Sequence, residues 1–409
     1  MSFTTLNTDK IGYNYVRHDL LLLYVAELFI RLYIRIEILS IVGDKGYKTA
    51  QLSYTRYTNM TLEVMRIFVP ATLAFLIGVA ITPILTHYLY KYKMWKPKGG
   101  KIAMDGTQAQ EFNRLHEHKE VGTPRFGGVV VWASVLLTAD LLALLARFMP
   151  DAFSSLAFIS RSQTWVPMAA MAIGALVGFA DDLFEVSGKQ GLRLRVRLMF
   201  VAAVALLCGW WFFEKLDISS VTMPFMSMPL ELGLLFIPFF VLVALFIYAG
   251  GVIDGLDGLS GGVFASIFSA YAGIAFFQAQ YDVAALCAAL VGGLLAFLWF
   301  NIPPARFYLS ETGSMALTMV LVVIAFLTDV KGGGRGVSVL PIIALPLVAT
   351  VASNIVQIFG KKVLGHKILR IAPLHHHFEA IGWPAYKVTM RYWVVGVVAA
   401  IVGLTLALV

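Results

Sequence analysis

The chain has 409 residues, of which 59% are hydrophobic and 14% charged, with a formal net charge of +8 and a mean hydropathy of +0.79. A soluble domain carries about 25% charged residues, so this chain lacks the polar groups to cover a globular surface of its size. Disorder, a collagen-like fibre and a disulfide scaffold are excluded as well: the apolar fraction is too high, there is no Gly-X-Y period, and Cys208 and Cys287 both lie inside apolar runs. An all-α integral membrane protein remains.

The first 60 residues form an N-terminal extension. Asp19 to Val42 is apolar but is interrupted by Glu27, Arg31, Arg35 and Glu37. Glu27, Arg31 and Arg35 recur every fourth residue and share one helical face, which fits an amphipathic helix at the interface better than a further span. No A-x-A-like cleavage site follows, which argues against a removed signal peptide.

Residues 61–409 form the core. Runs long enough to cross the hydrocarbon layer, roughly 20 residues each, fall near 64–90, 127–147, 164–180, 198–213, 231–249, 261–278, 283–300, 313–328, 339–360 and 392–409. They are apolar all round, unlike barrel strands, which alternate. Pro341 and Pro346 should bend or break the ninth helix. The stretch 214–230, with Pro224 and Pro229, is a candidate for a small external hairpin.

Ten spans sort the connections into two sets. Loops 91–126, 181–197, 250–260, 301–312 and 361–391 hold 19 basic residues, and the opposite set holds 5. The positive-inside rule makes the first set cytoplasmic. The positive net charge follows from that bias and from anionic headgroups of membrane lipid; it is no argument for nucleic acid.

Five polar stretches stand out, all in the cytoplasmic set: GTPRFGG (122–128), FADDLFE (179–185), GGVIDGLDGLSGG (250–262), FNIPPARFYLSETGS (300–314) and PLHHHFE (373–379). Asp181 and Asp182 end the third run, and adjacent carboxylates there repel unless a cation or a shared proton relieves them. Asp254 and Asp257, three apart, share a helical face. The glycines at 255, 258, 261 and 262 suit close backbone approach by a phosphate or nucleotide. With Glu311 these acids suggest a Mg²⁺–pyrophosphate site, since magnesium takes one or two carboxylates and completes its shell with phosphate oxygens and water. Solvated helix ends and turn aspartates are the plainer reading of each acid alone. His375, His376 and His377 are neighbours that cannot all reach one tetrahedral zinc; they suit donors to diphosphate or carboxylate oxygens, or a structural loop. Lys119, Arg125, Arg306, Lys361 and Lys362 are further sources of positive charge.

This order of motifs resembles the polyprenyl-phosphate N-acetylhexosamine-1-phosphate transferase superfamily, and within it the phospho-N-acetylmuramoyl-pentapeptide transferases. The stretch PLHHHFEAIGWPAYKVTMRYWVV carries the narrower resemblance, which covers about 64–409. It implies a ten-span enzyme of the bacterial inner membrane, opening to the cytoplasm. Such an enzyme moves phospho-MurNAc-pentapeptide from UDP to undecaprenyl phosphate with Mg²⁺, giving lipid I and UMP for peptidoglycan, and the family suggests a homodimer. It also implies roles: Asp181 as base, Asp182 holding metal and phosphate, Glu311 as metal ligand, and Gly255, Leu256 and Asp257 lining a uridine pocket with Tyr308 stacking on uracil. Asn301, Asp254 and Lys119 would contact the nucleotide or diphosphate, and His375 to His377 would lie near the phosphates.

The chain departs from the family pattern at several positions. Glu311 replaces an aspartate, adding a methylene worth about 1 Å, a displacement that matters in catalysis. Gly251, Pro303, Arg197 and Arg125 stand where asparagine, histidine, lysine and threonine are usual, and Lys119 is one residue further from Gly122. A relative using UDP-GlcNAc or another UDP-sugar is the runner-up. A transporter with mid-membrane charges and a non-catalytic relative are further alternatives.

Overall fold

The computed structural model describes residues 44–97, 99–100, 121–189, 191–222, 228–329 and 333–409, with side chains from residue 61 onward. The expected interfacial helix over Asp19 to Val42, and Lys119, lie outside the described residues. The chain divides into two units, Met1–Val64 and Met65–Val409, and the second carries the architecture below.

Among the described residues ten helices are long and apolar enough to cross a membrane, and each coincides with one of the ten apolar runs. The first is the part of α1 (Asp44–Lys91) from Thr61 onward. There follow α2 (Gly128–Phe148), α3 (Trp165–Val186), α4 (Leu194–Lys215) and α5 (Phe236–Gly250). The next are α6 (Leu259–Phe277), α7 (Tyr281–Asn301) and α8 (Ser310–Leu327). The ninth run splits into α9 (Gly336–Ile343) and α10 (Leu345–Phe359), and after the short α11 (Leu374–Ala380) the chain ends in α12 (Ala385–Leu408). The break falls at Ala344, with Pro341 carried inside α9 and Pro346 in the first turn of α10. A proline there gives up an amide that the first turn leaves unpaired anyway.

The core is α8. Its most apolar window is 94% buried, against 22% for the first span and 33% for the last. Lipid gives helices no hydrophobic reason to associate, so close packing through small residues has to hold them. At Gly178 of α3 an added Cβ would stand 2.1 Å from the backbone oxygen of Glu311, so α3 and α8 meet backbone to backbone where the acidic motifs lie.

The expected hairpin is present between α4 and α5, with β1 (Ser220–Val221) antiparallel to β2 (Leu230–Glu231) in the register Ser220↔Glu231 and Val221↔Leu230. The buried Asp329 just beyond α8 anchors it, receiving the Thr222 amide at 2.9 Å and the Thr222 hydroxyl at 2.6 Å. By alternation of the spans this is the face opposite the five polar motifs.

Candidate active site

The site is assembled around the first turn of α8. A helix leaves its first amides without internal partners, and here Leu309, the residue before α8, supplies no side-chain cap. Two acids from elsewhere do so. Asp254 accepts the Ser310 amide at 2.8 Å through Oδ2 and the Ser260 hydroxyl at 2.6 Å through Oδ1. Asp182, fully buried, accepts the Thr312 amide at 2.9 Å and the hydroxyls of Thr312 and Ser310 at 2.6 Å, all through Oδ2. The positive end of the helix dipole favours carboxylates there. Burial nevertheless pushes the Asp254 carboxyl above its ordinary value, against the hydrogen bonds from Ser260 and Ser310.

The other oxygen of Asp182 lies 3.0 Å from Nε of Arg125, whose Nη1 also pairs with Glu185. Burial works against the charge on Arg125, but Asp182 and Glu185 outweigh it and hold the guanidinium protonated above its ordinary value. Asp182 is thereby committed on both oxygens. In this arrangement it caps α8 and neutralises Arg125.

Asp181, one residue earlier, points elsewhere because successive side chains on a helix diverge by about 100°. Its Oδ1 accepts the Leu192 amide and its Oδ2 lies 3.3 Å from Nη1 of Arg197. The same Nη1 is 2.5 Å from Oε1 of Glu311, and the Tyr248 hydroxyl is 3.4 Å from the other Glu311 oxygen. Lys96 closes the outer edge, 3.2 Å from Glu185. Four acids and three cations thus lie together at one end of the bundle. Within this cluster Asp181 is 1% exposed and Glu311 22%.

The neighbouring half is built from the DGLDG loop and the histidines. Asp257 receives the Ala305 amide at 3.2 Å on Oδ2 and stays half-buried, beside buried Leu256. An added Cβ at Gly255 would lie 2.5 Å from Nε2 of His375 and 2.7 Å from Nε2 of His376; one at Gly262 would lie 2.1 Å from Nε1 of Trp393. Side chains of the protein itself therefore fill the space where a Cβ would stand at these two glycines. His376 faces Glu379 through Nδ1 at 2.8 Å, and His377 accepts the Arg370 amide at 3.2 Å. His375 is fully buried against His376, ring centroids 4.3 Å apart. Among the described residues no three His, Cys, Asp or Glu side chains are grouped to hold a metal by themselves.

Asn301 is likewise committed: its Oδ1 accepts the Gly258 amide and its Nδ2 donates to the Phe307 carbonyl, both at 2.8 Å. Its amide ties two loops together. Tyr308 keeps a partly exposed ring, while its amide and carbonyl bond to Pro124 and Gly127 at 2.9 and 2.8 Å and join the first and fourth motifs. All five polar stretches are thus linked by direct contacts. Glu185, Lys96 and Tyr248 are members that sequence reasoning assigned no role. Glu185 lay within a quoted motif, one helical turn after Asp181, which was the available signal; Lys96 resembled any basic residue after a span.

The chain matches the family model described as Glycosyl transferase family 4 over residues 164–329, the stretch from α3 to the end of α8. Proteins named phospho-N-acetylmuramoyl-pentapeptide-transferase match over much more. That of Anoxybacillus flavithermus is 34% identical over 341 residues, 82% of this chain and 95% of that protein. That of Listeria monocytogenes is 35% identical over 335 residues, 81% and 94% of the two chains. That of Bacillus anthracis is 31% identical over 345 residues, 83% and 97%. Likeness of this extent shows that the chain belongs to the phospho-N-acetylmuramoyl-pentapeptide-transferase family.

Proposed function

We propose that this protein transfers phospho-MurNAc-pentapeptide from UDP-MurNAc-pentapeptide to undecaprenyl phosphate, releasing UMP and forming lipid I for peptidoglycan, at the cytoplasmic face of the bacterial inner membrane. The observation that carries the reading is the convergence of Asp181 and Glu311 on the single nitrogen Nη1 of Arg197, beside the loop formed by Asp257 and the histidines. One acceptor is a lipid held in the bilayer and the donor is a charged nucleotide, so a site at the ends of the spans suits both. The excess of basic residues in the loops on this face supports its cytoplasmic orientation.

A Mg²⁺ ion fits the donor set. Asp181 and Glu311 already turn two oxygens toward one cationic atom, and a hard cation needs no more than two carboxylates when phosphate and water complete its shell. Glu311, the more open of the two, would hold it with phosphate and water completing the shell, and Asp181 keeps its Oδ2 for the proton. When bound, the ion supplies charge neutralisation on the diphosphate.

The side chains provide the rest. An incoming phosphate is an acceptor for the guanidinium of Arg197 and would draw it from Asp181. Asp181 then takes the proton from the lipid phosphate through Oδ2. The freed oxygen attacks the sugar-bound phosphorus, the P–O bond to UMP breaks, and UMP departs with the bonding pair. Arg125 stays paired with Asp182 and Glu185, so the floor of the site keeps its charge balance. Tyr308 and Asp257 are the groups offered to uridine, with His376 and His377 nearest the phosphates.

The test is UMP release by purified protein with undecaprenyl phosphate, Mg²⁺ and a panel of UDP-sugars. Release from UDP-MurNAc-pentapeptide is expected. Release from UDP-GlcNAc alone would reassign the donor.

A further inference from the structure

Helix α12 brings no carboxylate or cation into the acidic cluster, yet two of its side chains grip the DGLDG loop by its backbone. Trp393 Nε1 donates to the Gly258 carbonyl at 3.0 Å, and Thr389 Oγ1 donates to the Asp257 carbonyl at 3.2 Å. From the other side Asn301 accepts the Gly258 amide at 2.8 Å, and the Ala305 amide reaches the Asp257 carboxylate at 3.2 Å. The peptide groups on both sides of Gly258 are therefore held by two separate helices, α12 and α7, and the Asp257 carboxylate by the loop at Ala305. Gly262, one turn into α6, lies against the indole so closely that no Cβ fits between them.

We propose that Thr389 and Trp393 are positioning residues for the nucleotide donor, fixing the direction in which Asp257 leaves the loop; this inference rests on the transferase reading above. The reasoning is geometric. Asp257 stands on a short connection between a 3₁₀ turn (Gly251–Ile253) and α6, where the local chain supplies only the Leu259 amide to the Leu256 carbonyl across it at 3.1 Å. A carboxylate that recognises a ligand has to be held to within about 0.5 Å, and two carbonyl anchors from a packed membrane helix meet that need. The clamp's own bonds run to α12, Asn301 and Ala305, while Arg197 is held by Asp181 and Glu311, so the clamp acts first on donor binding.

The experiment compares the full-length protein in detergent with Trp393→Phe, which keeps an aromatic ring and removes the N–H, with Thr389→Val and Thr389→Ser, and with Gly262→Ala, whose methyl group displaces the indole N–H while leaving the Thr389 hydroxyl in place. Two readouts are taken: amide exchange over residues 254–262, and KM for the UDP donor set beside KM for the lipid acceptor. Expected for Trp393→Phe, Thr389→Val and Gly262→Ala are faster exchange in this segment and a donor KM raised about five- to tenfold, the range for one lost hydrogen bond, with acceptor KM unchanged and Thr389→Ser restoring the wild-type values. Unchanged exchange would overturn the clamp. Faster exchange with donor KM, acceptor KM and kcat shifting together would reduce it to helix packing and equally overturn the proposal. If the wild type releases no UMP from any UDP donor, the transferase reading fails instead, and the clamp is judged by exchange and by UMP affinity measured calorimetrically.

Discussion

Arg197 and Glu311 meet at 2.5 Å through Nη1 and Oε1, and the same nitrogen reaches Asp181. One guanidinium thus occupies the ground between two acids that the proposed reaction needs for a metal and a base. Replacing Arg197 by Gln should remove that competitor. UMP release titrated against Mg²⁺ is expected to show half-saturation at lower metal concentration, with kcat down about 100-fold because a cationic group facing the phosphates is lost. An unchanged metal titration would mean that Arg197 and the ion do not share a place.

Asp181 and Asp182 should separate cleanly under substitution. Asp181→Asn is expected to lower turnover by roughly 10²–10⁴-fold, the span for general acid–base groups, while UDP-sugar binding and thermal stability persist. Asp182→Asn is expected to destabilise the fold by about 3–5 kcal/mol, the cost of breaking a buried charged pair, because Arg125 and the first turn of α8 lose their partner. Thermal unfolding in detergent, run beside UMP release, reads both.

The packing of α3 on α8 yields a steric prediction. Gly178→Ala drives a methyl group into the Glu311 carbonyl, backbone that cannot turn aside. A loss of about 1–3 kcal/mol is expected from such overpacking, together with reduced turnover, since Glu311 must shift with its helix. Thermal unfolding and UMP release of the variant measure the two effects.

A pH effect follows from Asp254. Its carboxyl titrates above the unfolded value, so between about pH 4 and that raised value the native state holds a proton the unfolded chain has released. Stability from this group is therefore full below the unfolded value and declines as pH rises through the native one. Asp254→Asn should flatten the thermal midpoint over that window relative to wild type. Identical slopes would show that Asp254 does not contribute to them.

Much of this was legible in the chain. The ten spans follow from uninterrupted apolar runs, and the break in the ninth from prolines whose missing amide leaves few alternatives. The gathering of Asp181, Asp254, Asp257, Glu311 and the histidines at one face followed from alternation of the spans. Direction was not legible. Nothing in the pair Asp181-Asp182 says which of them turns toward the amides of α8, because that depends on how α3 is rotated against a helix more than 120 residues later in the chain. Arg125, Asn301 and the glycines at 255 and 262 looked available to a ligand for the same reason: their partners are backbone groups or side chains far away in sequence. Lys96 and Tyr248 lacked any local signal.

The most buried helix of the bundle begins at the reaction site, and its first turn is fastened by acids from two other segments. Glu311 consequently rides on the least yielding part of the molecule. Its carboxylate can therefore be repositioned only by its own side-chain torsions and not by retreat of its backbone. The adjustment falls on the opposite bank, where Arg197 reaches in from the more loosely embedded α4. A compound aimed at this pocket would meet one immovable wall and one that yields.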